Sequence, residues 1–161
     1  MSEIFEQLDQ LLIEACALGG FAELARAADE QAMWWLAVDE NQSVIAEWNE
    51  IMQRLMLTTD VGAVPENKLE TALQEALSFN LLWQETDGAR LALMPKEDRL
   101  RLMVDIHATH LNGEYVANAV LNLLQAAQNW RGRWRSTERE DAEAPPPSPD
   151  DRFPPSGFLR V

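Results

Sequence analysis

Apolar side chains recur at intervals of three and four from the start of the chain: Ile4, Phe5, Leu8, Leu11, Leu12, Ala15 and Leu18. Residues so spaced share one face of a helix with 3.6 residues per turn, which predicts a first helix over residues 3–18. Ser2 is placed to cap it, Glu3 and Glu6 lie at the positive end of its dipole, and Gly19–Gly20 supplies a left-handed exit. Residues 21–31, FAELARAADEQ, keep no period and read as an irregular or one-to-two-turn connector. From Ala32 the period drops to two. AMWWLAV and SVIAEWNE, separated by Asp39, Glu40 and Asn41, predict a hairpin, and a third strand follows from about Gln53 to Thr59. On the first strand Trp34, Leu36 and Val38 share one face while Met33, Trp35 and Ala37 share the other.

Val64-Pro65-Glu66 opens a second helix, because proline at the first helical position lacks an N–H that would have no partner there. Leu69, Leu73, Ala76 and Leu77 form its stripe, and Phe79 to Trp83 carry apolar surface beyond it. Asp87-Gly88 marks a tight turn into a strand from Ala89 to Met94. The next strand, Arg99 to Ile106, alternates cleanly: Leu100, Leu102, Val104 and Ile106 face inward, Arg99, Arg101 and Asp105 outward. A last helix starts at Asn112 or Gly113 and buries Tyr115, Val116, Ala119, Val120, Leu123, Leu124, Ala127 and Trp130. Beyond it six of the eight prolines fall in STEREDAEAPPPSPDDRFPPSGFLRV, so residues 136–161 read as a Pro-rich, acidic, disordered tail on a domain of residues 1–135. The expected architecture is α+β, an antiparallel sheet of about five strands with three helices in the order α-βββ-α-ββ-α.

Charge narrows the choice of partner. The 161 residues carry 27 Asp and Glu against 13 Lys and Arg, a formal net charge of -14, which argues against nucleic acid. The imbalance sits in residues 1–89, with 17 acidic and 3 basic groups. That field either keeps copies apart or selects a basic partner. The acidic opening MSEIFEQLDQ has no secretory pattern, and no apolar run is long enough for a bilayer, so a cytoplasmic protein without membrane insertion is expected. Cys16, the single cysteine, falls in the first helical stripe and reads as a small core hydrophobe.

Signatures of catalysis are scarce. His107 and His110 form an H-x-x-H without a third ligand nearby in sequence, and neither a phosphate-cradling loop nor a nucleophile elbow occurs. No enzyme activity, cofactor or metal is expected. The unusual feature lies on the strands. Met33, Trp35, Ile45, Met56 and Met103 fall on faces opposite the presumed core, where polar residues would be ordinary. Exposed apolar area of this kind marks a binding surface, and methionine and tryptophan suit one that accepts varied side chains. Burial within a homodimer, or cover by the 21–31 connector, would also account for them. An acidic immunity or antitoxin-type inhibitor that binds a folded toxin is an alternative function for a small acidic protein of this kind.

The succession of segments resembles a known family. VPENKLETALQEALSFNLLWQ, then ETDGARLALMP, then VLNLLQAAQNWRGRW place Pro65, the Leu69–Leu82 run with Asn80, Gly88-x-x-Leu91-x-Leu93 and Leu123 to Trp130 in the order found in CesT-type class I chaperones of bacterial type III secretion. The likeness spans about residues 1–134. It implies a cytoplasmic, non-enzymatic α+β homodimer of a virulence-associated secretion system, paired through the second helix and its neighbouring strand. Leu73, Leu77 and Leu91 are the dimer residues it suggests. It further implies secreted effector proteins as partners, held by an N-terminal segment in extended form with a strand added at a sheet edge, and a secretion-system ATPase as the releasing machine. Met33, Trp35, Ile45, Met56 and Met103 are then the candidate client-binding residues. The Trp-heavy first hairpin, the Ala-rich connector and the Pro-rich tail depart from the family pattern.

Overall fold

The computed structural model describes residues 3–27, 32–94 and 97–143, with side chains described as far as Arg133. Nine main elements follow one another: α1 (Glu3–Gly19), β1 (Glu23–Arg26), β2 (Met33–Asp39), β3 (Gln42–Asn49), β4 (Arg54–Ala63), α2 (Leu69–Leu81), β5 (Arg90–Met94), β6 (Arg99–His107) and α3 (Gly113–Glu143). Single turns of 3₁₀ helix, Glu66–Lys68 and Ala108–His110, precede α2 and α3. Pro65 sits just ahead of the first of these turns, with extended backbone (φ -55°, ψ 139°), rather than inside the helix it introduces.

All strand pairs are antiparallel, in the order β1-β2-β3-β4-β6-β5. The sheet therefore has six strands where about five were expected. The additional one, β1, lies in the supposed connector. Its four residues ELAR have little intrinsic strand preference, and the strand forms because β2 offers a ladder: Leu24 pairs with Leu36 and Ala25 with Trp35. Residues 28–31 of that segment lie outside the described residues.

Alternation along the strands turns one face of the sheet inward. Trp34, Leu36, Val44, Ala46, Trp48, Leu55, Leu57, Leu100, Leu102 and Ile106 are all buried there. Leu8, Leu12 and Ala15 of α1 and Val116, Val120, Leu123, Leu124, Ala127 and Trp130 of α3 cover them. Gly20, at φ +67°, ends α1 in the left-handed region open to glycine. The Asn112 side-chain oxygen accepts the Tyr115 N–H at 2.8 Å and starts α3. Tyr115 itself is half exposed, not on the buried side. The α3 helix continues to Glu143, through the first residues of the segment expected to be a tail; the remainder, 144–161, lies outside the described residues.

One irregularity ties α3 to the sheet. Between Asp60 and Gly62 the β4–β6 register shifts by a bulge, with Gly62 at φ +121°, a conformation that a side chain would strain. Arg131 of α3 donates to the Val61 carbonyl at 3.1 Å and to the Asp60 carbonyl. Opposite, α2 covers β5. Its buried residues are Ala72 and Ala76, while Leu69 and Leu73 are half-buried and Leu77 points away. The expected stripe is thus rotated, because small alanines let the helix approach the sheet closely. Phe79 and Trp130 meet edge to face at 5.5 Å and close the layer between α2 and α3.

Candidate functional site

The helices occupy one face of the sheet, and the cross-strand register defines what stands on the other. One row runs Ala25, Trp35, Ile45, Thr58, Met103, Arg90; the adjoining row runs Met33, Glu47, Met56, Asp105. Met33, Trp35, Ile45, Met56 and Met103 therefore share this outer face, in two neighbouring rows. Trp35 is 53% exposed and the other four are half-buried. Side chains directly opposite in an antiparallel sheet have Cβ atoms only about 5 Å apart, so such neighbours shade one another while leaving their outer surface open. Thr58, small and almost buried, sits between Ile45 and Met103. The β1 strand extends the sheet beside β2 and does not fold over Trp35. At that edge Ala27 N–H bonds the Met33 carbonyl, so by strand alternation Leu24 turns its backbone polar groups away from β2.

Charge collects at the other end of the same face. Asp105 accepts from Arg90 at 2.7 Å and from Arg54 at 3.4 Å. Arg99 donates to both oxygens of Asp60, and this hydrogen bond first, with the carboxylate charge second, raises its pKa. On the inner face Arg26 and the Trp34 indole both donate to Asp9, at 3.2 and 2.6 Å. That cluster joins α1 to β2.

A second apolar surface lies around α2. Leu77 is 70% exposed, and Leu81, Leu82, Trp83 and Leu93 are also exposed. Leu73 is half-buried. Leu91 differs from both: it is a core residue of its own chain and offers no side-chain surface to a partner. Its backbone is held instead by Asn80, whose amide donates to the Leu91 carbonyl at 3.0 Å and accepts its N–H at 2.8 Å. One side chain of α2 thereby fills both outward bonds at this point of the edge strand β5. The chain pattern marks Leu77, Trp83 and Leu93 as apolar but gives no sign of which way α2 is rotated or which of them their own chain covers.

The histidines have local work. His107 Nδ1 accepts the Thr109 N–H at 3.3 Å in the turn before α3, and the His110 carbonyl accepts from Asn112 at 3.5 Å. Among the described residues no three His, Cys, Asp or Glu side chains are grouped to hold a metal. Burial pushes the Cys16 thiol pKa up, which suppresses its thiolate. An apolar cleft of about 280 Å³ opens between α3, β6 and the turn that joins α2 to β5, lined by Phe79, Val104, Ile106, Tyr115 and Leu123 among others, on the helix side of the sheet. No helix among the described residues is long and apolar enough to cross a membrane.

Solved structures share this fold. A chain in the crystal structure of the ExsC–ExsE complex superposes with a TM-score of 0.66 at 24% identity, covering 83% of this chain and 97% of that one. A chain of the HopA1–SchA chaperone–effector complex gives 0.64 at 17% identity, covering 82% and 98%. A chain of the heterodimeric ExoU–SpcU complex from the type III secretion system of Pseudomonas aeruginosa gives 0.51 at 16%, covering 76% and 95%. No curated protein matches the chain in sequence. The sequence profile of the Tir chaperone protein (CesT) family matches residues 16–131, from the last turns of α1 to the Arg131 anchor of α3, and the chain belongs to that family.

Proposed function

We propose that this chain is a type III secretion chaperone that binds effector proteins, acting by binding and not by catalysis. Family membership and the neighbouring chaperone–effector complexes support this reading. In finer detail, the client is the N-terminal segment of an effector, held in extended form across the outer face. The observation that carries this is the pair of rows containing Trp35, Ile45 and Met103, and Met33 and Met56, on a face that no helix among the described residues covers. An extended segment fits such a face because alternate side chains can enter it, and the open polar groups of β1 can accept a further strand. Homodimerisation through α2, with Leu77 exposed at its centre and Leu73 at its margin, would place two such faces in one particle. The site of action is the cytoplasm, and a secretion-system ATPase is the proposed agent of release.

Holding requires no energy source. A chaperone in excess at a hundred times the Kd stabilises the bound client by about 2.7 kcal/mol through mass action alone. The experiment that tests the reading pairs the chain with an effector co-expressed from the same secretion system and maps the protected fragment by limited proteolysis. Protection of an N-terminal stretch is expected, with Trp35→Asp abolishing it while helicity and particle mass stay as in the wild type. Unchanged protection in that variant rejects the outer face as the client surface.

A further inference from the structure

The outer face is divided by sign of charge. Among the described residues, β1–β3 place the carboxylates of Glu23 and Glu47 on it and no cation. The β4, β6 and β5 strands place four arginines there against two carboxylates, in a chain whose net charge is -14. Three of the four are answered within the chain: Arg54 and Arg90 by Asp105, Arg99 by Asp60. Arg101 is not. It lies in register with Asp60, whose oxygens are taken by Arg99, and it makes no hydrogen bond or ion pair among the described residues. On its other side it faces Ala92, which is small and leaves the guanidinium room. Two residues along β6 stands Met103, in the row with Trp35.

Arg101 is half-buried as a residue, and its guanidinium has no partner among the described residues. Its planar fork matches a carboxylate in two parallel bonds, and the neighbouring arginines add to the local positive potential. We propose that Arg101 is a carboxylate-recognition point, and that the segment bound on this face carries an Asp or Glu reaching it, beside apolar residues seated on Met103 and Trp35. This rests on the outer face being the client surface, as proposed above. The carboxylates of β1–β3 would repel the same acidic residue, so the pairing also fixes where along the face the segment lies. The acidic charge of the whole chain gives no hint of this local preference for an anion.

Three short synthetic peptides of alternating valine and serine, carrying one central glutamate, glutamine or lysine, serve as probes of the full chain by fluorescence anisotropy. The glutamate peptide is expected to bind about tenfold more tightly than the glutamine one, as for a charge-assisted hydrogen bond, with the ratio shrinking as salt is raised. Arg101→Gln should bring that ratio close to one, and Arg101→Glu should favour the lysine peptide. Circular dichroism melts establish that each variant is folded, and Arg101→Gln avoids placing a new anion beside Asp60. An unchanged glutamate-to-glutamine ratio in Arg101→Gln, with Trp35→Asp weakening all three peptides, overturns the recognition point and keeps the face. Failure of every peptide to bind the wild type, or indifference of all three to Trp35→Asp, overturns the face and this proposal with it.

Discussion

Cys16 shows how little a residue type determines by itself. A lone cysteine is a chemical opportunity, but this one sits half-buried near the end of α1, packed against the core, and burial raises its pKa. The folded state therefore prefers the protonated thiol. Any stability this contributes is present below the ordinary value of 9.0 and is lost as pH rises through the higher folded value. Reaction with iodoacetamide at neutral pH should be several-fold slower in the folded chain than in urea, followed by mass spectrometry, and equal rates would place the thiol in solvent. The sequence already suggested this role, because the helical stripe passes through Cys16. Leu77 and Leu91 show where residue-level reading stops. Both are leucines in apolar patterns, yet one is mostly exposed and the other buried, since a pattern shows that a residue is apolar but not whether its own chain or another covers it.

At the scale of elements, the strands with strict alternation were legible and the short or rotated elements were not. The β6 strand reads directly from Leu100, Leu102 and Ile106, and the five outer-face candidates follow from the same parity. The β1 strand was hidden because its four residues acquire strand geometry only from β2. The rotation of α2 was hidden because Ala72 and Ala76, not its leucines, make the closest approach. Asn80 is the most informative residue of that helix. By satisfying the Leu91 N–H and carbonyl it closes a point on the edge of β5 to pairing with another chain. Asn80→Ala leaves two polar groups without their partner and is expected to lower stability by about 1–3 kcal/mol, read from urea denaturation. A change within error would mean that water replaces the amide there at no cost.

For the whole molecule, the decisive arrangement is a single sheet with its helices on one side, which among the described residues leaves apolar surface both on the outer face and around α2. The α2 surface and the outer face are separate, so self-association and client capture should be separable by mutation. Leu77→Glu is expected to halve the particle mass in analytical ultracentrifugation while leaving the far-ultraviolet spectrum intact; a wild-type chain that sediments as a monomer would reject pairing through α2. The class of fold and the gathering of the five candidates on one outer face were accessible from sequence because both depend on parity, a local property. The division of the face by charge was not, since Arg54, Arg90, Arg99 and Arg101 come together only when β4, β5 and β6 lie side by side.

The Arg131 contacts to the bulge carry one more implication. Turning or sliding α3 would break bonds to two successive carbonyls, so the helix has a fixed heading relative to the strands beneath it. From Arg131 to Glu143 it advances roughly 18 Å at 1.5 Å per residue. It acts as a short mast stepped into the sheet, and its far end at Glu143 is held on a set bearing, at a distance the scaffold dictates.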